Sequence, residues 1–200
     1  MTGHVVLGWL VLTMLAAPEA VNSFRQQRRS ASARSATEDV SPIVIHAFDG
    51  GLSGVRAAKT DVKLRVDRDP SQGDEPLLFV EYPAPGADPG GRDVRCEAVN
   101  HDWSRGKAIA FRVKPSHAVR LSVSFFDRNH VVYTSWVDLK GNEWQGVRIS
   151  FAEMRPNPYF QPPDARTGAP IDVSDVAAVA FAPHDQTPGQ MAISRFVVVE

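Results

Sequence analysis

The chain has one cysteine, Cys96, in 200 residues, so an internal disulfide is excluded. Thiol catalysis would need a base that the sequence does not identify, and Cys96 is expected to be a quiet, half-buried thiol. An excess of either charge is also missing: 22 Lys and Arg stand against 23 Asp and Glu, for a formal net charge of -1. A nucleic-acid binder normally shows a basic face or stripe, so nucleic acid is not an expected partner. Among the six histidines there is no His-Glu-x-x-His pair for zinc. The sequence likewise has no Gly-x-Ser-x-Gly elbow for a serine hydrolase and no phosphate-cradling glycine loop, and each absence lowers the case for an enzyme. The run Asp67 to Asp74 has the acidic look of a calcium loop. However, Gln72 stands where the sharp turn needs Gly, and the twelfth position is Leu78 instead of Glu, so a solvated turn is expected. His101-Asp102 and His184-Asp185 are adjacent pairs on loops and read as satisfied surface polar clusters.

Long apolar runs are equally scarce. Val5 to Ala17 is too brief to cross a bilayer comfortably, and it reads as the h-region of a signal peptide over residues 1–23, cut before Phe24. Its charge polarity is reversed, because Met1 to His4 holds no Lys or Arg while Arg25, Arg28, Arg29 and Arg34 follow the apolar run. Export to the periplasm or the extracellular space is the expectation; the alternative is an uncleaved anchor that holds the domain in the cytoplasm. Residues 24–39, with Gln26-Gln27 and Ser30-Ala31-Ser32-Ala33, have little to bury and are expected to form a disordered basic linker. The folded unit is then expected to be 40–200, and no transmembrane helix is expected in the mature chain.

What the chain does have is hydrophobic material, 43% of residues, distributed with a period of two. Strands are expected at Ile43 to Phe48, Leu77 to Tyr82, Ala108 to Val113, Ala118 to Phe126, Val131 to Leu139, Trp144 to Phe151, Val176 to Ala182 and Ala192 to Val199. Helical periodicity does not survive the prolines and glycines, and only a short turn at Phe151 to Met154 is expected. Strands of this number and spacing fit an all-β, two-sheet antiparallel β-sandwich of the jelly-roll kind.

Alternation assigns faces to three of these strands. Val119, Leu121, Val123 and Phe125 go inward with Val131, Tyr133, Val137 and Leu139, and with Val147, Ile149 and Phe151. If the three strands are neighbours, Arg120, Ser124, Phe126, Trp136, Asp138 and Arg148 share the outer face. Aromatic rings stack on the C–H faces of sugars, and Arg and Asp fork hydrogen bonds to paired hydroxyls, so this face suits glycan recognition. Trp103, in the loop Asn100 to Ser104, and Tyr159, in the proline-rich loop Arg155 to Pro170, join it as candidate ligand contacts. A plainer reading of the same residues has Phe126 and Trp136 roofed by that loop and Arg148 paired with Asp138 as an ordinary surface bridge. Trp144 follows the Gly141-Asn142-Glu143 turn and reads as a core-edge anchor.

The run Val137 to Phe151, followed by Asp172-Val173-Ser174-Asp175-Val176 and a closing strand, resembles the galactose-binding-like jelly rolls. Within them it looks most like the family-eleven carbohydrate-binding modules and the related intermediate-associated protein of NADH:ubiquinone oxidoreductase. Asp49 after Phe48 resembles the acidic opening of that domain, and the resemblance spans Ile43 to Val199. It implies a non-catalytic module whose partner is a glycan or cell-envelope polysaccharide. The alternatives are a protein-assembly or scaffolding factor with an envelope protein partner and, further off, an unrecognised polysaccharide hydrolase. Such domains often hold a structural calcium on an Asp in the final strand; here that place reads Ile193-Ser194-Arg195-Phe196, so no cofactor is expected.

Overall fold

A computed structural model describes residues 41–85 and 89–200. The expected signal peptide and the linker up to residue 39 lie outside the described residues. The strands, in chain order, are β1 (Ile43–His46), β2 (Val55–Ala57), β3 (Lys63–Arg68), β4 (Pro76–Tyr82), β5 (Val94–Glu97), β6 (Ala108–Pro115), β7 (Val119–Phe126), β8 (Val132–Leu139), β9 (Gln145–Ser150), β10 (Arg155–Pro156), β11 (Ala178–Pro183), β12 (Gly189–Ile193) and β13 (Phe196–Val199). They form two antiparallel sheets. One has the order β1-β13-β6-β12-β4-β3, with β9 on the other edge of β6; the second has the order β10-β8-β7-β11-β5-β2. The all-β sandwich is as expected, and the turn after β9 is a single 3-10 turn at Phe151–Glu153.

The core lies between the sheets and follows the alternation. Leu121, Val123, Phe125, Val179 and Phe181 from one sheet meet Ile109, Phe111, Val113, Ile193, Phe196 and Val198 from the other, all buried. Phe196 stands with its ring centroid 4.7 Å from Phe111 in its own sheet and 5.9 Å from Phe181 across the sandwich. Cys96 is fully buried instead of half-buried, and burial pushes its thiol up to about 12, which makes it inert.

Three expectations are corrected here. The closing strand is two strands: Met191 and Ile193 point inward, and so do Phe196 and Val198, which a single period of two does not allow. The phase is reset at Ser194-Arg195, where the Arg112 amide donates to Ser194 Oγ and the Ser194 amide donates to the Arg112 carbonyl, an irregularity of the β-bulge kind. Next, β9 pairs with β6 in the first sheet and is not a neighbour of β7 and β8, so Arg148 leaves the expected patch. Last, Trp103 is fully buried, not a surface aromatic. Its loop is stitched down by the Trp103 amide to the Val173 carbonyl and by Asn100 Nδ2 to the Val44 carbonyl. The indole N–H donates to the Asn100 carbonyl at 2.7 Å, so the ring enters the core with its polar atom satisfied. There it packs edge-on to Phe125 at 5.3 Å and stacks with Phe151 at 6.3 Å.

Replacing this plug leaves a large void. Trp103→Ala is expected to cost about 3–5 kcal/mol of folding stability, read as a lower urea midpoint with an unchanged slope. A midpoint equal to that of the native protein would contradict the packing described.

Candidate functional site

The outer face of the second sheet has an unusual strip of small side chains. In β11, Val179 and Phe181 point into the core, so Ala178, Ala180 and Ala182 point out. On one side Ala180 and Ala182 pair with Ser124 and Ser122 of β7, Trp136 of β8 is opposite Ser122, and Ala178 shares a pocket with Phe126. On the other side Ala180 pairs with Arg95 and Ala178 with Glu97 of β5, and Arg56 of β2 is opposite Arg95. Ala180 is half-buried and Ala178 and Ala182 are buried, so the alanines floor a trough beneath the taller side chains of an aromatic wall and a charged wall. From Arg120 to Phe126 the β7 wall runs about 20 Å at a strand's rise per residue.

At one end of the trough, Trp136 is 38% exposed, and its ring makes an edge contact with His184 at 4.4 Å. The Arg120 guanidinium lies 5.7 Å from the indole centroid, and its Nε reaches Asp138 at 3.3 Å. Asp138 thus pairs with Arg120 across neighbouring strands, whereas Arg148, the partner expected in the plainer reading, donates to the Glu200 carbonyl on the opposite side of the sandwich. His184 is held by Ser122 Oγ at 2.9 Å. Partial burial, followed by the charges of Arg92 and Arg120, lowers the His184 pKa, against the opposing pull of Asp185. Its neighbour Asp185 is no surface group: it receives Arg92 Nη1 at 2.7 Å and His117 Nε2, tying three loops together behind this end of the trough. The Tyr82 hydroxyl is buried nearby, and burial followed by the charge of Asp185 pushes it up to about 12.

At the other end, Phe126, 37% exposed, lines a pocket of about 340 Å³ with Arg95, Arg128, His130 and Pro162. The pocket is fixed by Asp127, a buried carboxylate that accepts the amides of Asn129, Val131 and Asp172. Ser124 Oγ and Thr134 Oγ1 are 2.8 Å apart, and Asn157 Nδ2 donates to Thr134, so the start of the proline-rich loop closes over the β8 edge. That loop does not roof Trp136. It holds Tyr159 85% exposed, with the Tyr159 amide donating to Asn157 Oδ1.

Of the eight candidate residues, five share this face: Arg120, Ser124, Phe126, Trp136 and Asp138. Tyr159 stands on the adjoining loop, Arg148 lies on the other sheet and Trp103 is in the core. Alternation missed the alanine floor, His184 and Arg95, because strand order alone brings β11 beside β7 and β5 beside β11. Among the described residues no group of three or more His, Cys, Asp or Glu is placed to hold a metal ion, and no helix is long and apolar enough to cross a membrane.

His184 supplies a check on the electrostatics. With its folded pKa lowered below the unfolded value, its contribution to stability is complete above that unfolded value, about 6.5, and is lost as pH falls through the folded one. NMR titration of the ring is expected to give a midpoint below 6.5, moved upward in Arg120→Gln. A midpoint that ignores this substitution would remove Arg120 from the site's field.

No protein-family model and no curated protein sequence matches the chain. Solved structures do. A family 11 carbohydrate-binding module from Clostridium thermocellum, in complex with a β-1,3-1,4-mixed-linked tetrasaccharide, is similar over 79% of this chain and 95% of that one, with TM-score 0.62 and 17% identity. The family 11 module of the cellulosomal cellulase Lic26A-Cel5E of the same organism gives 0.61 at 16% identity over 80% and 96%. The family 30 module of its cellulosomal cellulase Cel9D-Cel44B gives 0.52 at 16% over 80% and 94%. The chain has the two-sheet jelly-roll fold of these carbohydrate-binding modules.

Proposed function

We propose that this chain is a non-catalytic carbohydrate-binding domain that takes an extended glycan along the alanine-floored trough. The observation that carries this reading is Trp136, half-exposed and braced by Arg120 and His184, beside a strand whose outward side chains are all alanines, Ala180 half-buried and Ala178 and Ala182 buried. An indole edge-packed against His184 and flanked by a guanidinium is held in position before a ligand arrives, which reduces the ordering cost of binding. Sugar rings offer C–H faces for the indole and Phe126, and hydroxyl pairs for Arg120, Asp138, Ser124 and Tyr159. The likeness in fold to a module solved with a bound tetrasaccharide supports the same reading.

Titration calorimetry over a panel of neutral oligosaccharides tests it. Trp136→Ala is expected to weaken binding about tenfold. Ala180→Arg, which fills the trough floor, is expected to abolish it with the fold retained, and Trp144→Ala to leave it unchanged. Native affinity in both trough variants would overturn the assignment. A stoichiometric protein partner captured from envelope extract and insensitive to added sugar would instead favour an assembly factor.

A polysaccharide partner and the apolar run Val5 to Ala17 together point to a position outside the cytoplasm, periplasmic or extracellular. Mass spectrometry of the protein recovered from its native compartment is expected to find a mature chain starting at Phe24. An intact Met1 in a membrane fraction would favour the anchored form.

A further inference from the structure

At its Phe126 end the trough meets three separate stretches of chain. Beyond Ala178, the last alanine of the floor, the pocket of about 340 Å³ is lined by Asp175 and Ala177 of the segment entering β11, by Asp127, Arg128 and His130 of the β7–β8 turn, and by Pro162 of the proline-rich loop. These stretches are fastened to one another. The Arg128 amide donates to the Asp172 carbonyl and the Asp172 amide to Asp127 Oδ2, which joins the turn to the segment entering β11. His130 Nδ1 is hydrogen-bonded to Asp164 Oδ2, and the Arg166 amide donates to the Asn129 carbonyl, which joins the turn to the loop. Gln161 completes the join, its Oε1 accepting the Val132 amide and its Nε2 donating to the Val132 carbonyl. With these backbone groups committed, the three stretches stand as one wall at the end of the floor.

The lining shows what the pocket can take. Phe126 and Pro162 give it an apolar side. Arg95 and Arg128 bring guanidinium donors, while Asp127 and Asp175 bring carboxylates, so the two signs are balanced and charge does not select an ion. A ring with a C–H face and hydroxyls on its rim meets both kinds of lining. The volume is near the lower bound of small-molecule sites, about 300 Å³, which suits a single ring and not a run of them.

We propose that the trough binds glycans by their chain ends, with the terminal ring seated in this pocket and the following rings laid along the alanine floor toward Trp136. The inference rests on the trough as the glycan site and adds the class of glycan, exposed termini in preference to the interior of long chains. A ring inside a chain carries a glycosidic bond on both sides, and the second bond would have to pass through the joined turn and loop. A terminal ring carries a hydroxyl in its place, which Arg128 or Asp175 can take up.

The experiment is titration calorimetry of the full chain with a xylan, a glucomannan and a β-1,3-glucan, each as the intact neutral polymer and as a partial hydrolysate of it. Sites per gram are expected to rise on hydrolysis in step with the new chain ends, counted as reducing sugar. Binding that is retained with the same number of sites per gram overturns the chain-end inference and leaves the trough standing. Binding of none of the six samples overturns both. Ala177→Trp, which fills the pocket from an exposed position, and Arg128→Ala are each expected to lower affinity for the hydrolysate about tenfold or more. If Ala177→Trp proves unstable by thermal melting, Arg128→Ala decides. Native affinity for the hydrolysate in Arg128→Ala also overturns the inference.

Discussion

Phe196 touches Phe111 beside it and Phe181 across the sandwich, and around these three rings the inward side chains of both sheets close into one apolar layer. Removing that area from water is the main favourable term in such a fold. It also dictates geometry: once the inward set of a strand is committed to the layer, every alternate residue must stand on an outer face. The trough is a by-product of that constraint.

Loops follow the same logic by a different route. Trp103 enters the layer only because its indole N–H finds the Asn100 carbonyl. Asp127 is buried only because three backbone amides converge on it. Asp185 is similarly met by Arg92 and His117. An unpaired buried charge is costly, so these contacts hold the loops at the two ends of the trough in one arrangement. Trp136 and Phe126 stand between those fixed ends, half in solvent, with alanines beside them.

Eight strands were legible from alternation and turn residues, and seven of them correspond to single strands with boundaries shifted by a residue or two. The strands that escaped notice are short or polar. Lys63–Arg68 offers only Leu64 and Val66 to the interior, Val94–Glu97 and Val55–Ala57 have four and three residues, and Arg155–Pro156 has two. An edge strand with one half-buried side carries little hydrophobic signal. Five of eight candidate residues were placed on one face because β7 and β8 form a hairpin, where sequence neighbours are spatial neighbours. Arg148 was misplaced because β9 crosses to the other sheet, and nothing in its alternation records which sheet it joins.

The amino-acid sequence by itself determined which side of each strand is dry, since side-chain direction alternates by geometry and apolar residues seek the side away from water. It determined an all-β sandwich for the same reason. Only the tertiary structure decided which strands lie side by side, that β11 floors the trough with alanines, that a bulge at Ser194-Arg195 turns Arg195 outward, and that Trp103 is core. Those outcomes rest on contacts between residues far apart in the chain, such as Arg92 with Asp185 and Arg112 with Ser194, whose pairing depends on how two sheets close over a shared apolar layer.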